Sequence, residues 1–443
     1  MDRRRLPAVD QLLTDLGEWD LPRSVVVGVV REALDQARNT NQDLDPKELA
    51  ESRLTDIVLS RIGPVINATG VLLHTNLGRA PLAPEAAEAA RSMSTGYANL
   101  ELDLATGARG RRGGFVVDLL AGLCGAEAAV VVNNNAAALV LAVAALAAGR
   151  EVIVSRGELI EIGGSYRLPT IIAAGGAQLR EVGTTNRTRI SDYSDVLAET
   201  TGVILKVHAS NYRIEGFASD VSPLELAALA RESGVPFVFD AGSGLLDDQV
   251  PWLGGPPPSW IGTEPGIRQS VRAGADLVLF SGDKLFGGPQ AGVVVGRKDL
   301  INSLLRHPLA RAFRIDGPSL AALGATAELY ADGRGAEIPL WVMASQTYLD
   351  LERRCEAVVG RAGLQARIEE SSSVLGGGSI PGAGIPSPAI SIDKRVDQAF
   401  LALLRNQPPI LARREAGRLL LDLRAVDERE DAAVAAALSV ACR

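Results

Sequence analysis

The chain has 443 residues, of which 47% are hydrophobic and 22% charged, a composition that excludes wholesale disorder. At ~150 residues per domain, this length predicts two or three domains. Three widely separated cysteines exclude a disulfide framework and a paired-cysteine metal site. The net charge of −8 argues against a protein whose whole surface binds nucleic acid, although it leaves room for a local basic patch.

The cellular location is predicted from the same features. The first residues lack the apolar run of a signal peptide. The longest apolar run, residues 136–148, is shorter than the ~18 residues that span a bilayer. Unpaired cysteines are typical of a reducing compartment. We therefore expect a cytoplasmic protein with no membrane role. The three histidines are too far apart for a zinc-binding pair, which argues against a zinc hydrolase.

Residues 1–60 are predicted to form a small helical N-terminal domain. An amphipathic stretch covers residues 25–37 and a second begins at Pro46. The segment contains eight basic and twelve acidic residues, so its net charge is −4. A solvated helical cap and a dimerisation arm are both compatible with this pattern.

Residues 61–310 are predicted to form a large α/β domain with a mostly parallel sheet. Short β-branched runs alternate there with helical stretches rich in alanine and leucine. The predicted strands are residues 130–132, 152–155, 202–207, 235–239 and 277–280. Residues 311–443 are predicted to form a smaller α+β C-terminal domain, with strands at 389–392 and 418–423 and a loop rich in Ser, Gly and Pro over 371–388.

Two polar residues follow predicted strands of the large domain. Ligands of open α/β sheets gather at the carboxyl ends of the strands. Asp240 ends one apolar strand, and Ser281-Gly282-Asp283-Lys284 follows another. Lys284 is conspicuous because the chain has only five lysines against forty arginines, and a partly desolvated lysine amine can form a Schiff base. A buried hydrogen-bond acceptor and a solvated loop lysine are the alternatives.

A third polar element is the run Asn133-Asn134-Asn135-Ala136, between a predicted strand and a helix. Free backbone amides at a helix N-terminus bind phosphate groups, although asparagine turns also simply cap helices. Together, the amine, the carboxylate and the phosphate site supply what pyridoxal 5′-phosphate requires. The sequence therefore predicts this cofactor and no metal.

Four segments of the chain resemble a known family. They are residues 65–82, 183–186, 208–217 and 281–292, and they include Gly183-Thr184-Thr185-Asn186 and Ser281-Gly282-Asp283-Lys284. With the junction at 61–64, the resemblance to bacterial selenocysteine synthases, the L-seryl-tRNA(Sec) selenium transferases, covers essentially the whole chain. It implies a fold-type I pyridoxal phosphate transferase. The implied reaction removes the serine hydroxyl of seryl-tRNA(Sec) through a dehydroalanyl intermediate and adds selenium from selenophosphate.

The resemblance also implies roles for individual residues. Lys284 would carry the cofactor, Asp240 would pair with its ring nitrogen, and Asp283 would donate a proton to the leaving hydroxyl or only cap a turn. Contacts with the ring oxygen would come from Ser243 and Asn211, and contacts with the phosphate from Asn134, Asn135, Ala136 and Ser281. The selenophosphate site would contain Arg79, Arg112, Arg311 and Arg314, since arginine forks match oxyanions. The roles of His74 and His208 stay open.

The implied partners are seryl-tRNA(Sec), selenophosphate and further copies of the chain in a homo-oligomer, with a ring of dimers expected. Residues 1–60 would hold the tRNA. Two alternatives remain: a pyridoxal phosphate-dependent β-eliminating lyase of a small phosphorylated amino acid, and a non-catalytic RNA-binding paralogue. A free small substrate needs no N-terminal RNA-binding unit, and the presence of Lys284 and Asp240 speaks against a non-catalytic protein.

Overall fold

The computed structural model describes residues 6–39, 44–164, 166–212, 214, 216–377, 379–380 and 382–442. The helices are α1 (Val9–Leu16), α2 (Arg23–Asn39), α3 (Pro46–Ser60), α4 (Pro84–Thr95), α5 (Gly114–Cys124), α6 (Asn135–Ala147), α7 (Leu168–Ala174), α8 (Ile190–Ser194), α9 (Pro223–Ser233), α10 (Ile267–Arg272), α11 (Lys298–Arg306), α12 (Leu309–Ala312), α13 (Gly317–Ala331), α14 (Pro339–Ser345), α15 (Tyr348–Ala362), α16 (Val396–Leu404) and α17 (Asp431–Ala441). The strands are β1 (Ile66–Ala68), β2 (Ala128–Val132), β3 (Glu151–Ser155), β4 (Glu161–Ile162), β5 (Tyr166–Arg167), β6 (Gln178–Val182), β7 (Thr201–Val207), β8 (Phe237–Gly242), β9 (Leu277–Ser281), β10 (Gly292–Gly296), β11 (Arg367–Val374), β12 (Gly384–Ile392), β13 (Ile410–Glu415) and β14 (Arg418–Asp422). No helix in the described ranges has the length and apolar character needed to cross a bilayer.

Helices α1 to α3 pack against one another around a small core of their own. Val26, Val29 and Ala33 of α2 meet Ala50 and Leu54 of α3 in one cluster. A second cluster joins α1 and α2. The apolar residues of α2 recur at helical spacing, so they form one face of that helix. The predicted stretches at 25–37 and 46–59 correspond to α2 and α3.

A seven-stranded sheet with the order β2-β10-β9-β8-β7-β3-β6 forms the centre of the molecule. The neighbouring strands in the series β6-β3-β7-β8-β9 are paired in parallel. Strand β10 runs antiparallel to both of its neighbours, β9 and β2. Alternate residues of the strands enter apolar clusters on opposite faces, as a sheet covered on both sides requires. The prediction of a mostly parallel central sheet is thus confirmed.

A five-stranded sheet, β1-β13-β14-β12-β11, lies in the C-terminal part and packs against α15, α16 and α17. Strand β1 joins it from the other end of the chain, in parallel with β13. Conversely, Leu323 of α13 and Trp341 of α14 belong to the core of the seven-stranded sheet. Segments that are distant in sequence therefore share cores, and the domain boundaries near residues 60 and 310 stay predictions.

Candidate active site

Asp240 and Lys284 lie near the carboxyl ends of neighbouring parallel strands. Asp240 belongs to β8, and Lys284 comes three residues after the end of β9. Because β8 and β9 are paired in parallel, the register brings these two chain positions to the same edge of the sheet. Both residues are buried, with 3% of Asp240 and 7% of Lys284 exposed. The structure thus places an amine and a carboxylate together, as the sequence predicted.

The asparagine turn between β2 and α6 completes this edge of the sheet. Asn134 caps α6, since its side chain accepts a hydrogen bond from the Ala137 amide at 2.9 Å. The side-chain amide of Asn135 donates to Oδ1 of Asp240 at 2.8 Å. A Cβ at Gly292 of β10 would lie 2.1 Å from the Asn134 carbonyl oxygen, so the close approach of strand and turn requires glycine there.

These elements enclose a cavity of about 300 Å³, which we call the cofactor cavity. Eight of the predicted site residues line it: Arg79, Asn134, Asn135, Ala136, Asp240, Ser281, Asp283 and Lys284. Further lining residues include Ile160, Ile162, Tyr166, Val207, His208, Ser210, Gly242 and Gln290.

Burial controls the protonation of the charged groups in the cofactor cavity. Desolvation lowers the pKa of Lys284, and the nearby Arg79 guanidinium lowers it further. Desolvation raises the pKa of Asp240, although the hydrogen bond from Asn135 and the charge of Lys284 oppose that shift. The pKa of Asp283 is raised by the same cause, against the charge of Arg79. Lys284 therefore loses its proton more readily than an exposed lysine, and Asp283 keeps its proton more readily than an exposed aspartate.

Arg79 is held in the cofactor cavity by contacts on two sides. Its Nε lies 3.7 Å from Oδ2 of Asp283. Its Nη1 donates to the carbonyl oxygen of Gly377 at 2.7 Å, which connects the cavity to the loop between β11 and β12. The Arg79 backbone has a positive φ of 74°, a conformation that is uncommon for residues with a side chain.

Two predicted cofactor contacts do not line the cavity. Ser243 is fully buried beyond the end of β8, and its hydroxyl has no hydrogen-bond partner among the described residues. Asn211 is exposed, and its side-chain amide donates to the backbone carbonyl of Glu161 at 2.7 Å. Ser243 is nevertheless close to Lys284, since its carbonyl oxygen accepts a hydrogen bond from the Leu285 amide at 2.8 Å, whereas the Asn211 amide is turned toward Glu161.

Three of the four predicted selenophosphate residues also lie outside the cofactor cavity, and two of them, Arg112 and Arg314, contact Glu101. Nη1 of Arg112 lies 3.0 Å and Nη1 of Arg314 lies 3.2 Å from the same carboxylate oxygen, and Arg311 is exposed in α12. The hydrogen bond from Arg112 lowers the pKa of Glu101, with the charge of Arg314 adding to the shift. The Asn133 amide donates to the Phe313 carbonyl oxygen at 2.9 Å, so these arginines are anchored beside the asparagine turn.

Several residues of this region were not predicted from the sequence. Tyr166 and Gln290 line the cofactor cavity, and buried Glu264 holds His208 through a contact of 3.0 Å between Oε2 and Nε2. Gln290 lies two residues before the start of β10, so that strand was a usable signal. The sequence gives no such signal for Tyr166 or Glu264, because only the tertiary fold brings these residues to the site. His74 lies outside the cofactor cavity, and burial lowers its pKa.

Comparison with known families gives a consistent result over most of the chain. Residues 65–427 match the model of a family described as L-seryl-tRNA selenium transferase. The chain belongs to this family. Residues 3–38 separately match a model described as selenocysteine synthase N terminal.

Similar proteins support membership of the L-seryl-tRNA selenium transferase family. An L-seryl-tRNA(Sec) selenium transferase of Carboxydothermus hydrogenoformans is 44% identical over 96% of this chain and 95% of its own length. One of Moorella thermoacetica is 45% identical over 98% and 96%. The solved structure of a D-glucosaminate-6-phosphate ammonia-lyase covers 86% of this chain and 96% of its own, with a TM-score of 0.60 and 23% identity. That last likeness shows the fold alone.

Membership of the selenium transferase family confirms the predicted family, the fold-type I class and the assignment as a pyridoxal phosphate-dependent enzyme. The cofactor cavity fits that group. It offers a lysine amine of lowered pKa, a buried carboxylate and the N-terminus of α6, where first-turn amides lack helical partners. The buried Oδ1 of Asn135 has no partner among the described residues, so the cavity also presents an unsatisfied acceptor.

Proposed function

We propose that the protein converts seryl-tRNA(Sec) to selenocysteinyl-tRNA(Sec) with selenophosphate as the selenium donor. The observation that carries this proposal is the joint presence of Lys284, Asp240 and Asp283 in one cavity of a chain that matches the selenium transferase family over residues 65–427. The cofactor would be held by Lys284 at its aldehyde, by Asp240 at its ring nitrogen, and by Asn135, Ala136 and Ser281 at its phosphate.

Bound pyridoxal phosphate withdraws electrons from the α-carbon of serine, so that the α-proton and then the β-hydroxyl can leave. Lys284, whose pKa is lowered, is the group placed to take the α-proton at Nζ. Asp283, whose raised pKa favours the protonated carboxyl group, would donate a proton to the departing hydroxyl oxygen. The C–O bond breaks and the hydroxyl leaves as water.

The arginines near this site fit the second half of the reaction. Arg79 lines the cofactor cavity, and Arg112 and Arg314 share the single carboxylate oxygen of Glu101. With Arg109, three guanidinium groups contact this one carboxylate, which leaves positive charge for an oxyanion. Arg79, Arg112 and Arg314 would hold the phosphate group of selenophosphate while its selenium bonds to the β-carbon, and Lys284 would return its proton to the α-carbon. Water then cleaves the Se–P bond, which releases phosphate.

The remaining parts of the proposal concern partners. Residues 1–60 hold the tRNA, in line with the separate match of residues 3–38 to a selenocysteine synthase N-terminal model. Three of the eight basic residues of this segment, Arg3, Arg4 and Arg5, lie outside the described residues. The protein works in the cytoplasm as a homo-oligomer, arranged as a ring of dimers.

The decisive experiment incubates the purified protein with seryl-tRNA(Sec) and selenophosphate and identifies the aminoacyl group by mass spectrometry. We expect selenocysteine on the tRNA, and unchanged serine with the Lys284→Ala variant. A parallel reaction with thiophosphate measures the choice between selenium and sulfur. Serine that stays unchanged with the wild-type protein would refute the proposal, and release of a keto acid from a free phosphorylated amino acid would favour the lyase alternative.

A further inference from the structure

A second cavity, of about 610 Å³, adjoins the cofactor cavity. Val207 and His208 line both cavities, so the two spaces meet at the carboxyl end of β7. We call the larger space the side cavity. Its wall includes residues 155, 157, 158, 185–188, 206–209 and 259–264. Its volume lies within the ~300–1,000 Å³ that is usual for small-molecule sites.

One wall of the side cavity is the segment 183–188, which contains the Gly183-Thr184-Thr185-Asn186 motif. The loop is fixed by hydrogen bonds from the Thr184 amide to the Arg187 carbonyl oxygen at 2.9 Å and from the Ser219 amide to the Asn186 carbonyl oxygen at 2.9 Å. A Cβ at Gly157 would lie 2.7 Å from the Thr185 carbonyl oxygen, so this loop packs directly against the opposite wall. The side cavity is therefore a preformed space.

The side chains of the side cavity suit a neutral aromatic ligand. Trp260 and Tyr212 line it, and nucleic-acid bases bind by stacking on such rings. The Asp220 side chain is 76% exposed and uses one carboxylate oxygen for Lys206 at 3.0 Å. Its remaining oxygen can accept hydrogen bonds from ribose hydroxyls.

The balance of charge in the side cavity disfavours a small anion. Glu158, Asp220 and Glu264 oppose Lys206 and Arg187. The buried Lys206 is already neutralised, since its Nζ lies 2.8 Å from Glu158 and 3.0 Å from Asp220. Arg187 is exposed, and within the described ranges no hydrogen bond or ion pair of its guanidinium is found. Among the described residues that line this cavity, Arg187 is therefore the cation left for a ligand, which matches a nucleoside with a single adjoining phosphate rather than selenophosphate.

We propose that the side cavity binds the 3′-terminal nucleoside of the aminoacyl-tRNA. This inference rests on the proposed function, because the seryl group of that substrate is esterified to the terminal ribose. A serine that reacts beside Lys284 keeps its nucleoside within one ester linkage of the cofactor cavity. The side cavity meets this requirement because it adjoins the cofactor cavity, and His208 lines both. Trp260 and Tyr212 stack on the base, Asp220 accepts from the ribose, and Arg187 holds the phosphate.

The test compares matched variants of the holoenzyme with seryl-tRNA(Sec) and selenophosphate. Arg187→Ala should raise the KM for the tRNA about tenfold, the usual weight of a hydrogen bond to a charged group, and leave kcat and the KM for selenophosphate unchanged. Arg180→Ala removes an exposed arginine of β6 that does not line the side cavity, so it should change nothing. Equal effects of the two variants, or a higher KM for selenophosphate with Arg187→Ala, would overturn the inference.

A second measurement does not depend on turnover. The tRNA carries 8-azidoadenosine at its 3′ end, is irradiated on the wild-type protein, and the labelled peptide is mapped. Attachment within 183–188, 206–220 or 259–264 supports the side cavity. Attachment elsewhere, with a wild-type protein that converts seryl-tRNA(Sec), refutes this inference and leaves the proposed function standing. A wild-type protein that fails to convert seryl-tRNA(Sec) refutes the proposed function itself.

Discussion

Lys284 is a buried amine that lines the cofactor cavity. It is 7% exposed, and desolvation lowers its pKa, so a larger fraction of the amine is unprotonated at neutral pH than for an exposed lysine. We expect borohydride treatment of the holoenzyme to fix the cofactor to the peptide that contains Lys284. Lys284→Ala should abolish fixation and turnover while circular dichroism stays unchanged, because the side chain acts by covalent chemistry. The exposed Lys298, changed to alanine, is the control, and a label mapped to Lys206 or Lys298 would contradict the assignment.

Arg79 is expected to set the reactivity of Lys284 through its charge. The guanidinium lowers the pKa of Lys284, so its removal should raise that pKa. In Arg79→Met, the pH profile for modification of Lys284 by an amine-specific reagent in cofactor-free protein should therefore shift to higher pH. Arg79→Lys keeps a positive charge and should shift the profile less. A profile that does not move, or that moves to lower pH, would show that Arg79 does not act on the lysine electrostatically.

Arg314 is expected to serve the selenium donor rather than the loss of the serine hydroxyl. It shares Glu101 with Arg112 outside the cofactor cavity, so its removal leaves the groups around Lys284 in place. Arg314→Ala should raise the KM for selenophosphate about tenfold, as expected for one lost charged hydrogen bond, and leave the donor-independent loss of serine unchanged. Arg109→Ala, which removes another partner of Glu101, is the matched control. Equal loss in both half-reactions would assign Arg314 to the general architecture.

At the scale of residues, the rule that ligands bind at strand ends predicted those site residues whose position depends on the backbone alone. Asp240, Lys284 and the asparagine turn lie where parallel strands end, and that rule needs no knowledge of side-chain packing. Asn211 was carried over by resemblance, and the structure turns its amide toward Glu161 instead. Tyr166 reaches the cavity from the short β5, a placement that only tertiary contacts determine.

At the scale of elements, continuous apolar runs made the central strands predictable. Strands β7, β8 and β9 are buried along their whole length, so each shows in the sequence as a run of at least three consecutive apolar residues. Strand β6 is at the edge of the sheet and largely exposed, and we did not predict it because its polar residues break the run. Strand β10 was also missed, although it is fully buried, since glycines bound its short valine run.

The C-terminal sheet is connected to its surroundings by a buried polar network around Asp422. Its carboxylate accepts hydrogen bonds from the hydroxyls of Ser373 at 2.7 Å and Ser387 at 2.9 Å, and from the Arg424 amide at 3.0 Å. The Arg424 side chain is fully buried and donates to the carbonyl oxygens of Gln346 and Pro386 at 2.7 and 2.6 Å. These contacts join β11, β12 and β14 to the segment after α14.

Asp422→Ala should therefore destabilise the protein strongly. The change leaves two buried hydroxyls and the Arg424 amide without their acceptor and removes the negative charge near the buried guanidinium, a loss of about 3 kcal/mol in the free energy of unfolding. Asp397→Ala removes an exposed carboxylate that pairs with Arg414, so it should change the free energy by less than ~1 kcal/mol. Urea denaturation of both variants checks the difference. Equal stability of the two variants would mean that the network adapts to the missing carboxylate.

At the scale of the whole molecule, the N-terminal helices carry their own core, which separates their contribution from that of the catalytic part. The two clusters of α1 to α3 consist of residues between Leu6 and Ile57. The cores around the seven-stranded and five-stranded sheets contain none of these residues. Removal of residues 1–60 therefore leaves the apolar contacts that hold the cofactor cavity intact.

The proposed role of the N-terminal helices in tRNA binding has to overcome their net charge of −4. Local geometry reduces this difficulty, because Arg31 and Arg38 are exposed and lie seven residues apart on α2, on one face of the helix. Arg38 is paired with Asp35 at 2.9 Å, so part of the basic face is neutralised in the free protein. Phosphate contacts that recognise the shape of a folded RNA do not require base readout. Several copies in an oligomer would raise the effective concentration of such weak sites.

Deletion of residues 1–60 should abolish binding of seryl-tRNA(Sec) while the protein still takes up pyridoxal phosphate. Binding by the full chain should weaken as salt rises, because phosphate contacts release counterions. Filter binding over a salt series, with absorbance to quantify the cofactor and light scattering to compare oligomeric states, checks each expectation. The double variant Arg31→Ala, Arg38→Ala should lower the salt dependence as well as the affinity, which a purely structural role of α2 would not do. The proposed role would be contradicted if the truncated protein keeps its oligomeric state and binds the tRNA as tightly as the full chain. Helices α1 to α3 would then be only a structural cap.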